Sequence, residues 1–135
     1  MLKDMFLEAA RSRLTGREEA IRQTVRAYLD SYRSGDIEGR LSLFAPDATF
    51  EDPIGSDPIH GHEGLRAFWT AGAGLKVQMN LEMLAVNGSE AAFVFNASIA
   101  AGDDAAKIRG IETLLVDEAG LIVRLRAHFD DTLIG

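Results

Sequence analysis

From residue 77 to its end the chain runs in short stretches of alternating apolar and polar side chains, separated by gaps too short to hold a crossover helix. Val77, Met79, Leu81 and Met83 point one way and Gln78, Asn80 and Glu82 the other, and Asn87-Gly88 supplies a hairpin turn signal. Phe93, Phe95, Ala97 and Ile99 make the apolar side of the next stretch, and Gly102-Asp103-Asp104 turns the chain again. Ile108, Gly110, Leu114 and Val116 carry the pattern across Glu112. After a turn over Asp117 to Gly120, Leu121, Val123, Leu125, Ala127 and Phe129 face inward, with Arg124, Arg126 and His128 outward. Strands this close in sequence pair antiparallel, so the C-terminal half is predicted to be a sheet with one apolar face.

The N-terminal half has a helical period instead. Residues 3 to 13 form a short amphipathic helix with Met5, Phe6 and Ala9 on one side. Thr15-Gly16-Arg17-Glu18 has the form of a capping box, which places the start of a second helix there. Ile21, Val25, Tyr28, Leu29 and Tyr32 make its buried stripe, so Tyr28 faces inward, and Gly35 stops it. Asp36 caps a third helix carrying Ile37, Leu41 and Phe44, which ends near Ala45-Pro46-Asp47. A strand from Ala48 to Asp52 comes next, then a loop with Pro53, Gly55, Pro58 and Gly61, then a helix from Glu63 to Ala71 bearing Leu65, Phe68 and Trp69. Helices first and an antiparallel sheet last is an α+β arrangement, expected as one domain over residues 1–135.

Charge and composition exclude several classes of function. Twenty-one acidic against 14 basic side chains leave a net charge of −7, which repels phosphate backbones and anionic lipid, so neither nucleic acid nor membrane is an expected partner. The absence of cysteine removes disulfides and thiolate chemistry and suits a reducing compartment. The first residues mix charges into their apolar positions and form neither a signal peptide nor a membrane span, so a cytoplasmic protein is expected.

Chemistry concentrates at Asp52. It ends a short apolar strand in Phe50-Glu51-Asp52-Pro53, where alternation turns Asp52 inward with Ala48 and Phe50 while Thr49 and Glu51 point away. Pro53 holds Asp52 in an extended backbone, which projects the carboxylate from a defined place. An Asp-Pro pair also serves simply to organise a turn. Glu112 is flanked on its face by Ile108, Gly110, Leu114 and Val116, where burial favours the neutral acid and makes it a hydrogen-bond donor. The opposite assignment, with Arg109, Ile111, Thr113 and Leu115 inside and Glu112 in solvent, fits the spacing equally well. His60, His62 and His128 lack a metal-ligand pattern, and no phosphate loop, nucleophile elbow or dinucleotide fingerprint is present, so neither cofactor nor metal is expected.

From about Val25 to Phe129 the chain resembles the ketosteroid isomerases of the nuclear transport factor 2-like, or SnoaL-like, superfamily. The likeness is carried by Gly35-Asp36, the run LFAPDATFEDPIGSDP from Leu43 to Pro58, the segment EAAFVF from Glu90 to Phe95 and the closing LRAHF. The resemblance implies a cone-shaped fold with helices on a curved sheet, a homodimer, and residues 1–16 as an N-terminal extension. It places Tyr28, Asp52 and Glu112 at the family's phenol, base and second-acid positions. It also carries over that family's known mechanism, an Asp base with a Tyr and a protonated acid in the oxyanion hole. The implied activity is steroid Delta-isomerisation on a small hydrophobic ketone, a 3-oxo steroid, with Trp69, Phe95, Leu125 and Phe129 as apolar substrate contacts. A polyketide cyclase-like enzyme and a non-catalytic binder of hydrophobic ligands are the alternatives. Two departures stand out: the second acid is Glu rather than the usual Asp, and Trp69 stands where the family often has a supporting tyrosine.

Overall fold

A computed structural model describes residues 1–135. Three helices come first, α1 (Leu2–Arg11), α2 (Glu18–Ser34) and α3 (Ile37–Leu41), then strands β1 (Phe44–Glu51) and β2 (Ile59–His60) and helix α4 (Gly61–Ala71). Four further strands follow, β3 (Lys76–Asn87), β4 (Glu90–Ala101), β5 (Asp104–Val116) and β6 (Ile122–His128), and a 3-10 turn over Asp131–Leu133 comes last. They form one curved, unclosed six-stranded sheet in the order β2-β1-β6-β5-β4-β3. All pairs are antiparallel except β1 with β6. The α+β expectation therefore holds, and no helix is long and apolar enough to cross a membrane.

The buried stripe of α2 is as predicted: Ile21, Val25, Tyr28 and Leu29 are buried, and Gly35 closes the helix with a left-handed φ of 67° that suits a residue without a Cβ. This stripe packs with Phe44, Phe50, Leu65 and Trp69 and with the inner sheet residues Phe93, Phe95, Leu114 and Leu125 in one continuous core. The inner face of β5 carries Gly110, Glu112, Leu114 and Val116, which closes the alternative in which Glu112 faced solvent.

Several local expectations need correction. Glu18 accepts from the backbone of Thr15 at 2.8 Å, but the Thr15 hydroxyl accepts from Arg17 instead of Glu18 and the helix is capped at Arg17, so half of the capping box is made. α3 ends at Leu41, and Phe44 already belongs to β1, because Ile122 donates to the Leu43 carbonyl at 2.8 Å and draws the segment into the sheet beside β6. Met83, expected inside, is 69% exposed because a bulge between Leu81 and Met83 reverses the faces and brings Val86 in. A second irregularity, between Leu115 and Val116, buries Ile122 where Leu121 and Val123 were expected. The two-residue strand β2 was not anticipated.

Candidate active site

The helices and the inner sheet face enclose a cavity of about 490 Å³, mostly apolar, into which Tyr28, Asp52 and Glu112 all open. Three different elements deliver them. Tyr28 comes from the middle of α2, Asp52 from the residue just after β1, and Glu112 from the centre of β5, where its register partners are Phe93 and Ala127.

Asp52 is aimed by its neighbours. Glu51 turns outward and accepts from Arg126 Nε at 3.1 Å, so the next residue turns in. Beyond it the Ile54 amide donates to the Ala127 carbonyl at 2.9 Å and ties the loop to β6. The Asp52 carboxylate is partly buried, and that burial raises its pKa above the ordinary carboxylate range. A base that has lost part of its hydration takes a proton more readily than one in bulk water.

Glu112 is 3% exposed, and its Oε1 has no hydrogen-bond partner. Burial, reinforced by the nearby negative charge of Asp52, pushes its pKa well above the usual value. It is therefore neutral where Asp52 is charged, and its proton is available to an acceptor in the cavity. Tyr28 is 1% exposed, and its phenol is held protonated by burial first and then by the acidic groups around it, Glu112, Tyr32 and Asp52.

Trp69 is also buried, packed edge to face against Phe44 and Phe50 at 5.5 and 5.6 Å, and its indole Nε1 donates to nothing. The partner of the Tyr28 hydroxyl is Tyr32, at 2.8 Å. Sequence reading placed Tyr32 only in an apolar stripe and passed over Arg40, which is 4% exposed and also lines the cavity. The four-residue spacing of Tyr28 and Tyr32 on one helix face is the signal that finds the first. No pattern in the sequence marks Arg40.

Phe95, Phe129 and Trp69 line the cavity, and Phe68, Ile108 and Met79 line it with them. Leu125 does not. It is fully buried in the core, and the cavity lining does not include it. Past Tyr32, Gly35, Leu75, Val77 and Ile99 the cavity meets a wider groove of about 760 Å³ that holds neither Asp52 nor Glu112.

The model of the SnoaL-like domain matches residues 25–125. The chain is similar to the steroid Delta-isomerase of Nocardioides simplex, with 35% identity over 109 residues that cover 81% of this chain and 89% of that protein. It is also similar to the epoxide hydrolase LasB of Streptomyces lasalocidi, 30% identical over 138 residues. That match covers 85% of this chain and 49% of the relative, so the chain spans about half of its length. Among solved structures, the Delta 5-3-ketosteroid isomerase from Mycobacterium sp. superposes with a TM-score of 0.79 at 27% identity, over 85% of this chain and 96% of that one.

Proposed function

The chain belongs to the SnoaL-like domain family and is homologous to a steroid Delta-isomerase, and on that basis we propose that it isomerises a 3-oxo-Δ5 steroid to the conjugated 3-oxo-Δ4 product without a cofactor. One observation carries the reading: an acid that holds its proton, a phenol and a desolvated carboxylate open into one apolar cavity. Asp52 takes a proton from C4, and the electron pair moves into the ring and onto the C3 oxygen, giving a dienolate. Tyr28 and neutral Glu112 donate hydrogen bonds to that oxygen as its charge grows. Asp52 then returns the proton at C6, which leaves the double bond conjugated with the carbonyl. Trp69, Phe95 and Phe129 supply flat apolar contact for the rings.

Replacing Asp52 by Asn keeps the shape of the site and removes the base. Turnover of a 3-oxo-Δ5 steroid, monitored by the ultraviolet absorbance of the conjugated product, is expected to fall on the order of a thousandfold in this variant. Equal rates in the two proteins would end the isomerase reading.

The similarity to an epoxide hydrolase favours a second reading of the same groups. There Asp52 takes the proton from a hydroxyl as its oxygen attacks an epoxide carbon, the epoxide C–O bond at that carbon breaks, and Glu112 gives its proton to the departing oxygen, so that a ring closes and a new hydroxyl is left. Turnover of a hydroxy-epoxide with none of the steroid selects it.

A homodimer belongs to the proposal as well. On the outer sheet face Met83, Val94 and Ile111 stand side by side across β3, β4 and β5, and Met83 and Ile111 are 69% and 45% exposed. This apolar row is where the second copy docks.

A further inference from the structure

Tyr28 is held by a second phenol that the isomerase reading leaves unused. Tyr32 lies one turn along α2, with its hydroxyl 2.8 Å from that of Tyr28 and the two rings edge to face at 5.3 Å. The Arg40 guanidinium lies over the Tyr32 ring, 3.6 Å from its centroid, with the Trp69 ring 4.9 Å away. Arg40 Nε donates to Ser31 Oγ at 2.8 Å and Nη2 to the Ser31 carbonyl at 3.0 Å, and no carboxylate pairs with it. Arginine keeps its charge in such surroundings, so the cavity wall contains a buried cation without a counter-ion. A buried charge is costly unless its field is taken up, and here two aromatic faces take it up.

We propose that Arg40 tunes the oxyanion hole through Tyr32. With the guanidinium on its face, Tyr32 donates its proton to the Tyr28 oxygen, and Tyr28 keeps its own proton for the oxygen of the ligand. Negative charge arriving on that oxygen is then shared along two phenols towards a fixed cation. The direction of the phenol-phenol bond is set by acidity. Burial raises both hydroxyls, and Glu112 and Asp52 raise both further, but the guanidinium on the Tyr32 face draws Tyr32 alone back down, so the stronger acid is Tyr32. Tyr32 thus supplies the support that the unpartnered Trp69 indole does not. Arg40 is a positioning residue, and the inference rests on the proposed oxyanion role of Tyr28.

The test uses 2-naphthol, whose ionised form absorbs at longer wavelength and mimics a dienolate oxygen. It is bound to the Asp52→Asn protein, so that no carboxylate charge at that position competes. Adding Arg40→Met is expected to raise the pKa of the bound naphthol by about one unit, a tenfold loss in ionisation. Tyr32→Phe, which keeps the ring and its stacking, should do the same, and Arg40→Met should add nothing further once Tyr32 is Phe. Arg40→Lys keeps the charge, guards against loss of fold in the Met variant, and should recover part of the shift. An unchanged naphthol pKa in Tyr32→Phe, additive shifts in the double variant, or failure of naphthol to bind at the cavity would overturn the proposal. Because ionisation is read without turnover, an Arg40-dependent shift in a protein that leaves the steroid unconverted keeps this inference and removes the isomerase reading.

Discussion

A carboxyl group set between Phe93 and Ala127 in the sheet register is only 3% exposed, and this burial governs how Glu112 responds to pH. Its pKa is raised in the folded state by burial and by Asp52. Above the ordinary carboxylate range the unfolded chain has lost this proton and the folded chain keeps it. The contribution to stability is therefore complete at low pH and is lost as pH rises through the raised value, with a slope of at most about 1.4 kcal/mol per pH unit. Asp52, raised by burial too, contributes a slope of the same sign. Glu112→Gln removes the Glu112 share, so urea unfolding from mildly acidic to alkaline pH should show a flatter stability curve for the variant. Parallel curves would mean that Glu112 ionises freely. At this scale Tyr28 was legible, because the stripe on α2 can face only the core. The side on which Glu112 lies was not, since alternation in β5 offers two apolar faces and only the way the whole sheet closes over the core chooses between them.

Among the elements, β4 and β5 shape the cavity through one close approach. Gly110 is the register partner of Phe95, and a Cβ there would stand 2.6 Å from the Phe95 ring and 3.3 Å from the His128 carbonyl. Phe95 can lie flat against the strand, and so form a wall, only while position 110 has no side chain. Gly110→Ala should push the ring into the cavity, weaken ligand binding, and destabilise the fold by about 1 to 3 kcal/mol. Calorimetric titration with a steroid and thermal unfolding of the same variant check both effects, and unaltered binding would place Phe95 outside the ligand's reach. Strand existence was readable from alternation, and helix α2 from its period. The bulges at Glu82 in β3 and Val123 in β6 were not, because one extra residue leaves the hydrophobic pattern nearly intact while exchanging the faces of the residues on one side of it. That is why Met83 and Val123 were expected inside. The early end of α3 came from pairing with β6, a contact between residues far apart in sequence.

For the whole molecule, the cavity with its three polar groups lies on one face of the sheet and the apolar row on the other, and chemistry is proposed for the first and association for the second. Ile111→Glu on the outer row should convert the proposed dimer to monomer in sedimentation experiments without altering the cavity. A wild-type monomer would mean that this face carries no interface. Catalysis as proposed requires Asp52 to carry one proton across a cavity closed enough to keep it. A 3-oxo-Δ5 steroid deuterated at C4, with mass spectrometry and nuclear magnetic resonance of the product, reads that transfer. Part of the deuterium is expected to reappear at C6. A Δ4 product with no deuterium at C6 would contradict the transfer, because the proton would then have passed through solvent or another base.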